Sequence, residues 1–137
     1  MTTNNQVNAI ANREFGRQDS PPANYFIALL TSTPNLNGTG ITEVSTAGTG
    51  YARQSLANTK TALTVANNGQ VSNVAGMEFP AAITNWGTVT DVAVFDALTG
   101  GNLQYFSTHG IPKPFGAGDI AFFDISDILF QVQNLEV

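Results

Sequence analysis

His109 is the only histidine in a chain of 137 residues that has no cysteine, and these two facts bound the chemistry the chain can do. A histidine acting as general base needs an orienting partner and a nucleophile within hydrogen-bond reach. His109 lies in Thr-His-Gly-Ile-Pro with no acidic residue beside it. Serine and threonine are plentiful, but no Gly-x-Ser-x-Gly elbow between a strand and a helix is present. The lack of cysteine removes disulfides, thiolate nucleophiles and Cys-ligated metals. Asp119, Asp124 and Asp127 do not fall in the alternating order of a calcium loop, and Asp119 and Asp127 are expected to close turns through their side chains. Gly48-Thr49-Gly50 opens like a dinucleotide fingerprint, yet Arg53 stands where the third glycine belongs and a strand follows instead of a helix. A glycosidase pair of carboxylates would call for an aromatic-lined cleft, and the single tryptophan, Trp86, is expected to be buried. The sequence therefore assigns no catalytic residue, no metal ligand and no cofactor, and the protein is not expected to be an enzyme.

Charge narrows the partners. Only 11% of residues are charged, and ten acidic against five basic residues give a net charge of −5. Binding to nucleic acid requires clustered Lys and Arg, whereas Arg13, Arg17, Arg53, Lys60 and Lys113 are scattered. The longest apolar run, Tyr25 to Leu30, is too short to span a bilayer, and the polar opening Met-Thr-Thr-Asn-Asn does not read as a secretory signal. Glu43 and Arg53 flank the small-residue loop from Ser45 to Gly50. They read either as a buried pair that fixes strand register or as two solvated side chains.

The elements that must position these residues are strands. Thr88 to Thr108 alternates, breaks at Asp96 to Asn102 around Gly100-Gly101, and resumes at Leu103, the pattern of a β-hairpin. Val89, Ala93 and Phe95 are expected on one side of its first strand and Val92 and Val94 on the other, so the strand should be central and covered on both faces. Trp86 should plug one end of the core. Tyr25 to Thr31 reads as a buried strand, Ile41 to Val44 as a short edge strand, and Tyr51 to Ala57 as a further strand. Leu63 to Ala66 and Gln70 to Val74 flank the hairpin turn Asn67-Asn68-Gly69. Met77 to Pro80 is a brief strand and His109 to Gly118 a loop. Ile120 to Ile125 and Ile128 to Val132 read as a last hairpin. Nine or ten short strands at regular spacing imply an all-β fold, a single compact β-sandwich or jelly-roll-like domain over residues 25–137. Residues 1–24 form a short N-terminal arm. Within it Val7, Ile10, Ala11 and Phe15 recur at helical spacing, Thr3 or Asn4 can cap a helix over Asn5 to Phe15, and Pro21-Pro22 separates the arm from the core. An arm of this kind either packs back on its own domain or reaches a partner. The second reading makes Ile10, Arg13, Phe15 and Arg17 candidate partner-binding residues, with Trp86, Glu43 and Arg53 structural.

The series Tyr-Phe-Ile-Ala-Leu-Leu-Thr-Ser-Thr-Pro at Tyr25 to Pro34, Glu43, Gly50-Tyr51-Ala52-Arg53-Gln54, Asn85-Trp86-Gly87-Thr88-Val89, Val94-Phe95-Asp96 and Gly100-Gly101 resembles a group of small tailed-bacteriophage virion proteins of the tail, fibre or head-decoration type. The resemblance covers about residues 24–107 and carries no catalytic residue. It implies a component of the virion, repeated around a symmetric scaffold. The small single domain without a repetitive shaft favours a capsid decoration (cement) protein that binds the major capsid protein as a homotrimer. The alternative is a tail, baseplate or fibre attachment protein that contacts another tail component or host surface sugars. Exposed loop aromatics would favour sugar binding, yet the loops carry few, chiefly Phe115.

Overall fold

The computed structural model describes residues 1–131. One helix, α1 (Asn4–Glu14), precedes eight strands: β1 (Asn24–Leu30), β2 (Gln54–Ala57), β3 (Gln70–Ser72), β4 (Met77–Glu78), β5 (Gly87–Phe95), β6 (Leu103–Phe115), β7 (Phe122–Phe123) and β8 (Leu129–Gln131). β5 and β6 form the expected hairpin, and β1 pairs with the other edge of β5, giving an antiparallel four-stranded sheet in the order β2-β1-β5-β6. Two short antiparallel ribbons, β3 with β8 and β4 with β7, complete an all-β domain.

The apolar runs of β1 and β5 serve two faces. On one face Ile27, Leu29 and Val94 pack with Phe79, Trp86, Ala121, Ile128 and Phe130 from the ribbons and their flanking turns. The other face gathers Ala28, Leu30, Ala93, Phe95, Leu103 and Phe106. Strict alternation puts Val89 with Ala93 and Phe95, but Val89 joins Val92 and Val94 on the ribbon side. The change falls where the β5–β6 register shifts, between the pairs Val89–Lys113 and Asp91–Thr108, two residues of β5 against five of β6, an irregularity of the kind that alters which face the following side chains meet.

The elements depart from the sequence reading in several places, among them Leu63 to Ala66, expected as one arm of the Asn-Gly hairpin, which forms no strand and contributes the Leu63 to Asn73 bridge while β3 pairs with β8. His109 to Phe115 is the second half of β6, not a loop. Pro112 and Pro114 are accommodated because β6 is an edge strand, where a missing N–H leaves no neighbour unpaired. The segments from Ile120 onward do not pair with each other. Each instead reaches a distant strand, Phe122 opposite Glu78 and Phe130 opposite Val71; Val132, the expected end of the last strand, lies outside the described residues. Ile41 to Val44 contributes a single bridge, Glu43 to Leu30, in place of a strand. The Asn67-Asn68-Gly69 turn forms as expected. Asn67 and Gln70 exchange both backbone hydrogen bonds, and Asn68 and Gly69 hold φ of 51° and 75°, the type I′ geometry that Asn-Gly tolerates best.

Candidate interaction surface

The N-terminal segment docks on its own domain. Thr2 bridges Tyr105 of β6. The hydroxyl of the buried Thr3 shares its one hydrogen between the carbonyl oxygens of Leu103 and Gln104, at 2.5 and 2.9 Å. The same hydroxyl caps α1 by accepting from the Gln6 N–H, as a β-region threonine at this position does. Gln6 is buried and donates to the Tyr105 hydroxyl at 2.8 Å. The face that α1 turns inward is therefore Gln6, Ile10 and Arg13, one helical stripe, and not the expected apolar set. Val7, Ala11 and Phe15 lie on the outer side, with Phe15 75% exposed. Polar contacts accompany this rotation: the Thr3 hydroxyl and N–H meet β6 carbonyl oxygens and Gln6 Nε2 meets the Tyr105 hydroxyl, while Gln6 Oε1 is buried without a partner among the described residues. Of the four candidate partner-binding residues, Ile10 and Arg13 are half-buried and Phe15 and Arg17 are exposed. Arg17 meets Asp19 at 3.5 Å in a solvated pair.

Beside α1 opens a cleft of about 380 Å³ lined by Asn5, Ala9, Arg13, Ser20, Pro22, Asp96, Asn102 and Gln104. One wall is the helix. The other is the β5–β6 turn, which folds around Asp96: its carboxylate accepts from the Asn102 N–H at 2.7 Å and from the side-chain amides of Asn102 and Gln104 at 3.3 and 3.4 Å. Gly101 permits this closure. Its φ is +73°, and a Cβ there would lie 2.5 Å from Asp96 Oδ1.

The turn is held from behind by Arg53. Its Nη1 donates to the carbonyl oxygens of Ala97 and Gly100, both at 2.8 Å. Nε and Nη2 grip the two oxygens of Glu43 at 3.0 and 2.9 Å, a fork-to-fork geometry that Lys cannot supply. The guanidinium also lies 3.7 Å from the Phe95 ring centroid, within reach of a cation–π contact. Tyr51 completes the network: its hydroxyl donates to Glu43 at 2.6 Å and accepts from the Leu29 N–H at 3.1 Å. Burial, followed by the hydrogen bond to Glu43, pushes the Tyr51 phenol far above its ordinary pKa. Glu43 and Arg53 were legible as a pair, but Tyr51 was missed. The signal was its spacing, since Tyr51 and Arg53 are two apart in extended chain and share a face.

A buried acid was also missed. Asp91 is fully buried within β5, and its carboxylate accepts from the hydroxyls of Thr33, Thr90 and Thr108 at 2.9, 2.7 and 2.7 Å. It ties the end of β1 to the hairpin at the point where the register shifts. An Asp inside the run Val-Thr-Asp-Val-Ala-Val was the available sign. Trp86 is buried at one end of the main core, donating to the Thr49 carbonyl at 2.8 Å and meeting the Tyr51 ring edge-on. Phe115 is a correction. It is the last residue of β6 and 6% exposed, packed beside Trp86, because the strand that replaces the expected loop turns it into the core. Asp119 and Asp127 close turns by accepting from the N–H groups of Gly116 and Asp124. Among the described residues no cluster of three or more His, Asp or Glu side chains is placed to hold a metal, and no helix is long and apolar enough to cross a membrane.

This small β domain, with a docked arm and a polar cleft in place of a metal centre, can be compared with known proteins. The family model described as Podophage GP4 fiber I protein gp80 matches residues 1–131. The chain belongs to this phage fibre family. It is a structural protein of the phage virion, as the resemblance read from the sequence implied. The match takes in the N-terminal arm as well as the sheet, so α1 is part of the family's shared unit. No curated protein matches the chain.

Proposed function

We propose that this protein is a tail-associated fibre component that acts by binding and not by catalysis. The observation that carries this reading is the match of a fibre family to residues 1–131, which favours the tail alternative over capsid decoration and makes another tail component, not the major capsid protein, the expected neighbour. The fold is compatible with repeated copies. Among the described residues, both outer strands of the main sheet, β2 and β6, have an edge without a partner strand, β6 being met by the backbone of the N-terminal segment only along Gln104 to Phe106, and closed cyclic association, as in a homotrimer, is one way such edges are covered. Labelling of virions with an antibody to this protein, combined with copy-number counting, tests the reading. Label on the tail with at most a few dozen copies is expected; label distributed over the head with hundreds of copies would restore the decoration protein. Sedimentation of the purified protein measures the trimer independently.

A further inference from the structure

We propose that the cleft between α1 and the β5–β6 turn binds an acidic saccharide unit, with Arg13 engaging its carboxylate. The proposal rests on the fibre reading for its biological setting and on the cleft alone for its chemistry. Arg13 is half-buried in the cleft wall and makes no ion pair or hydrogen bond among the described residues. Other cations of this acidic chain are differently placed: Arg53 is enclosed by Glu43 and two carbonyl oxygens, and Arg17 meets Asp19. A guanidinium held at the side of a cleft with its fork unused is suited to a planar carboxylate.

The rest of the lining suits hydroxyl groups. Apart from Ala9 and Pro22 every lining side chain is polar. The amide nitrogens of Asn102 and Gln104 each donate to Asp96, and that of Gln104 donates also to the Asn102 backbone carbonyl; one Asn102 donor and the side-chain carbonyl oxygens remain, and Asn5 and Ser20 add groups that both donate and accept. Ala9 and Pro22 supply part of an apolar floor, the Asp96 carboxylate is spent on the donors of Asn102 and Gln104, and a bare anion would leave the remaining acceptors unused. A polyhydroxylated ring carrying one carboxylate uses both sets. The volume, about 380 Å³, lies at the small end of ligand sites, which run to about 300–1,000 Å³. Both walls are fixed before any ligand arrives, the helix by Thr3 and Gln6 and the turn by Arg53, so little ordering is needed on binding.

The test is a solution NMR titration of the full chain with trigalacturonic acid, with neutral galactotriose as the control. Saturable shifts confined to α1 and residues 96–104 are expected with the acidic trisaccharide, at least tenfold weaker binding for Arg13→Ala, an intermediate value for Arg13→Lys, and weakening with salt. Arg13→Ala is checked for an unchanged amide spectrum away from the cleft. Equal binding of the neutral trisaccharide, an unaffected Arg13→Ala variant, or no saturable shift up to millimolar ligand would each overturn the proposal. So would equal binding of a short peptide with a free C-terminal carboxylate, which would make the cleft a carboxylate site of no saccharide preference. Failure here with the protein still found on the tail removes only the ligand; location on the head removes the fibre reading instead.

Discussion

Replacing Arg53 by alanine would strip the β5–β6 turn of its rear support and leave Glu43 a carboxylate in a largely buried site. The Arg53 and Glu43 side chains retain 8% and 22% exposure, so water cannot fully replace the lost partner. Breaking a buried pair by removing one member costs about 3–5 kcal/mol. The residual access of Glu43 and its remaining bond from Tyr51 pull the electrostatic part to the lower end. Two carbonyl oxygens, of Ala97 and Gly100, also lose their donor, and the contact over Phe95 contributes about 1 kcal/mol. The sum remains about 3–5 kcal/mol, against a total for a domain of this size of about 7–20 kcal/mol. With about 2.1 cal/mol/K of unfolding entropy per residue, each kcal/mol shifts the melting temperature by about 3.5 °C, so Arg53→Ala should lower it by about 10–17 °C. Urea unfolding of wild type, Arg53→Ala, Glu43→Gln and the double variant isolates the pair term. Glu43→Gln should cost less in the Arg53→Ala background than alone, because the unpaired charge is then removed. A loss under about 1 kcal/mol for Arg53→Ala, with an unchanged m-value, would mean that the pair behaves as a solvated surface bridge, and the argument for an anchored turn would fail.

Other consequences are open to the same kind of measurement. Thr3→Ala removes a helix cap and the shared hydroxyl bond to β6 and should cost about 1–3 kcal/mol, whereas Phe15→Ala, at an exposed position, should stay within about 0.5 kcal/mol; equal losses in calorimetry would place the wrong face of α1 inward. Gly101→Ala should destabilise by more than about 1 kcal/mol, since the added Cβ meets Asp96 and Ala97 at 2.5 and 2.7 Å at a positive φ, and a neutral result would show that the turn relaxes freely. Burial raises the pKa of Tyr51 and of Tyr105. Their contribution is fully present below the unfolded phenol pKa of about 10 and is lost as pH rises beyond it, because only the unfolded chain then ionises readily. Urea midpoints should therefore fall between pH 9 and 11 in wild type, at roughly constant ionic strength, and fall less steeply in Tyr51→Phe; parallel slopes would exclude the buried phenol as the cause.

Local patterns sufficed where one segment carries its own instructions. Asn68-Gly69 sets a two-residue turn whatever surrounds it, Thr3 caps the helix that follows it, and the apolar runs in Tyr25 to Leu30 and Val92 to Phe95 make strands that need cover on both faces. What the sequence could not show was settled between segments far apart. Whether Phe122 pairs with Phe130's strand or with Glu78's depends on which sheet edge is free, not on the residues between them. Pro112 and Pro114 look like loop residues until β6 is known to be an edge strand. Val89 lies in the other core where the register shifts between Val89 and Asp91, an irregularity that the sequence pattern does not show. The cleft depends on the same long-range fit, since Arg13 and Asp96 line it from segments 83 residues apart. Hydrophobic periodicity says that a face must be buried, but not what buries it. The partner is chosen by the satisfaction of backbone groups and side-chain shape across the finished fold.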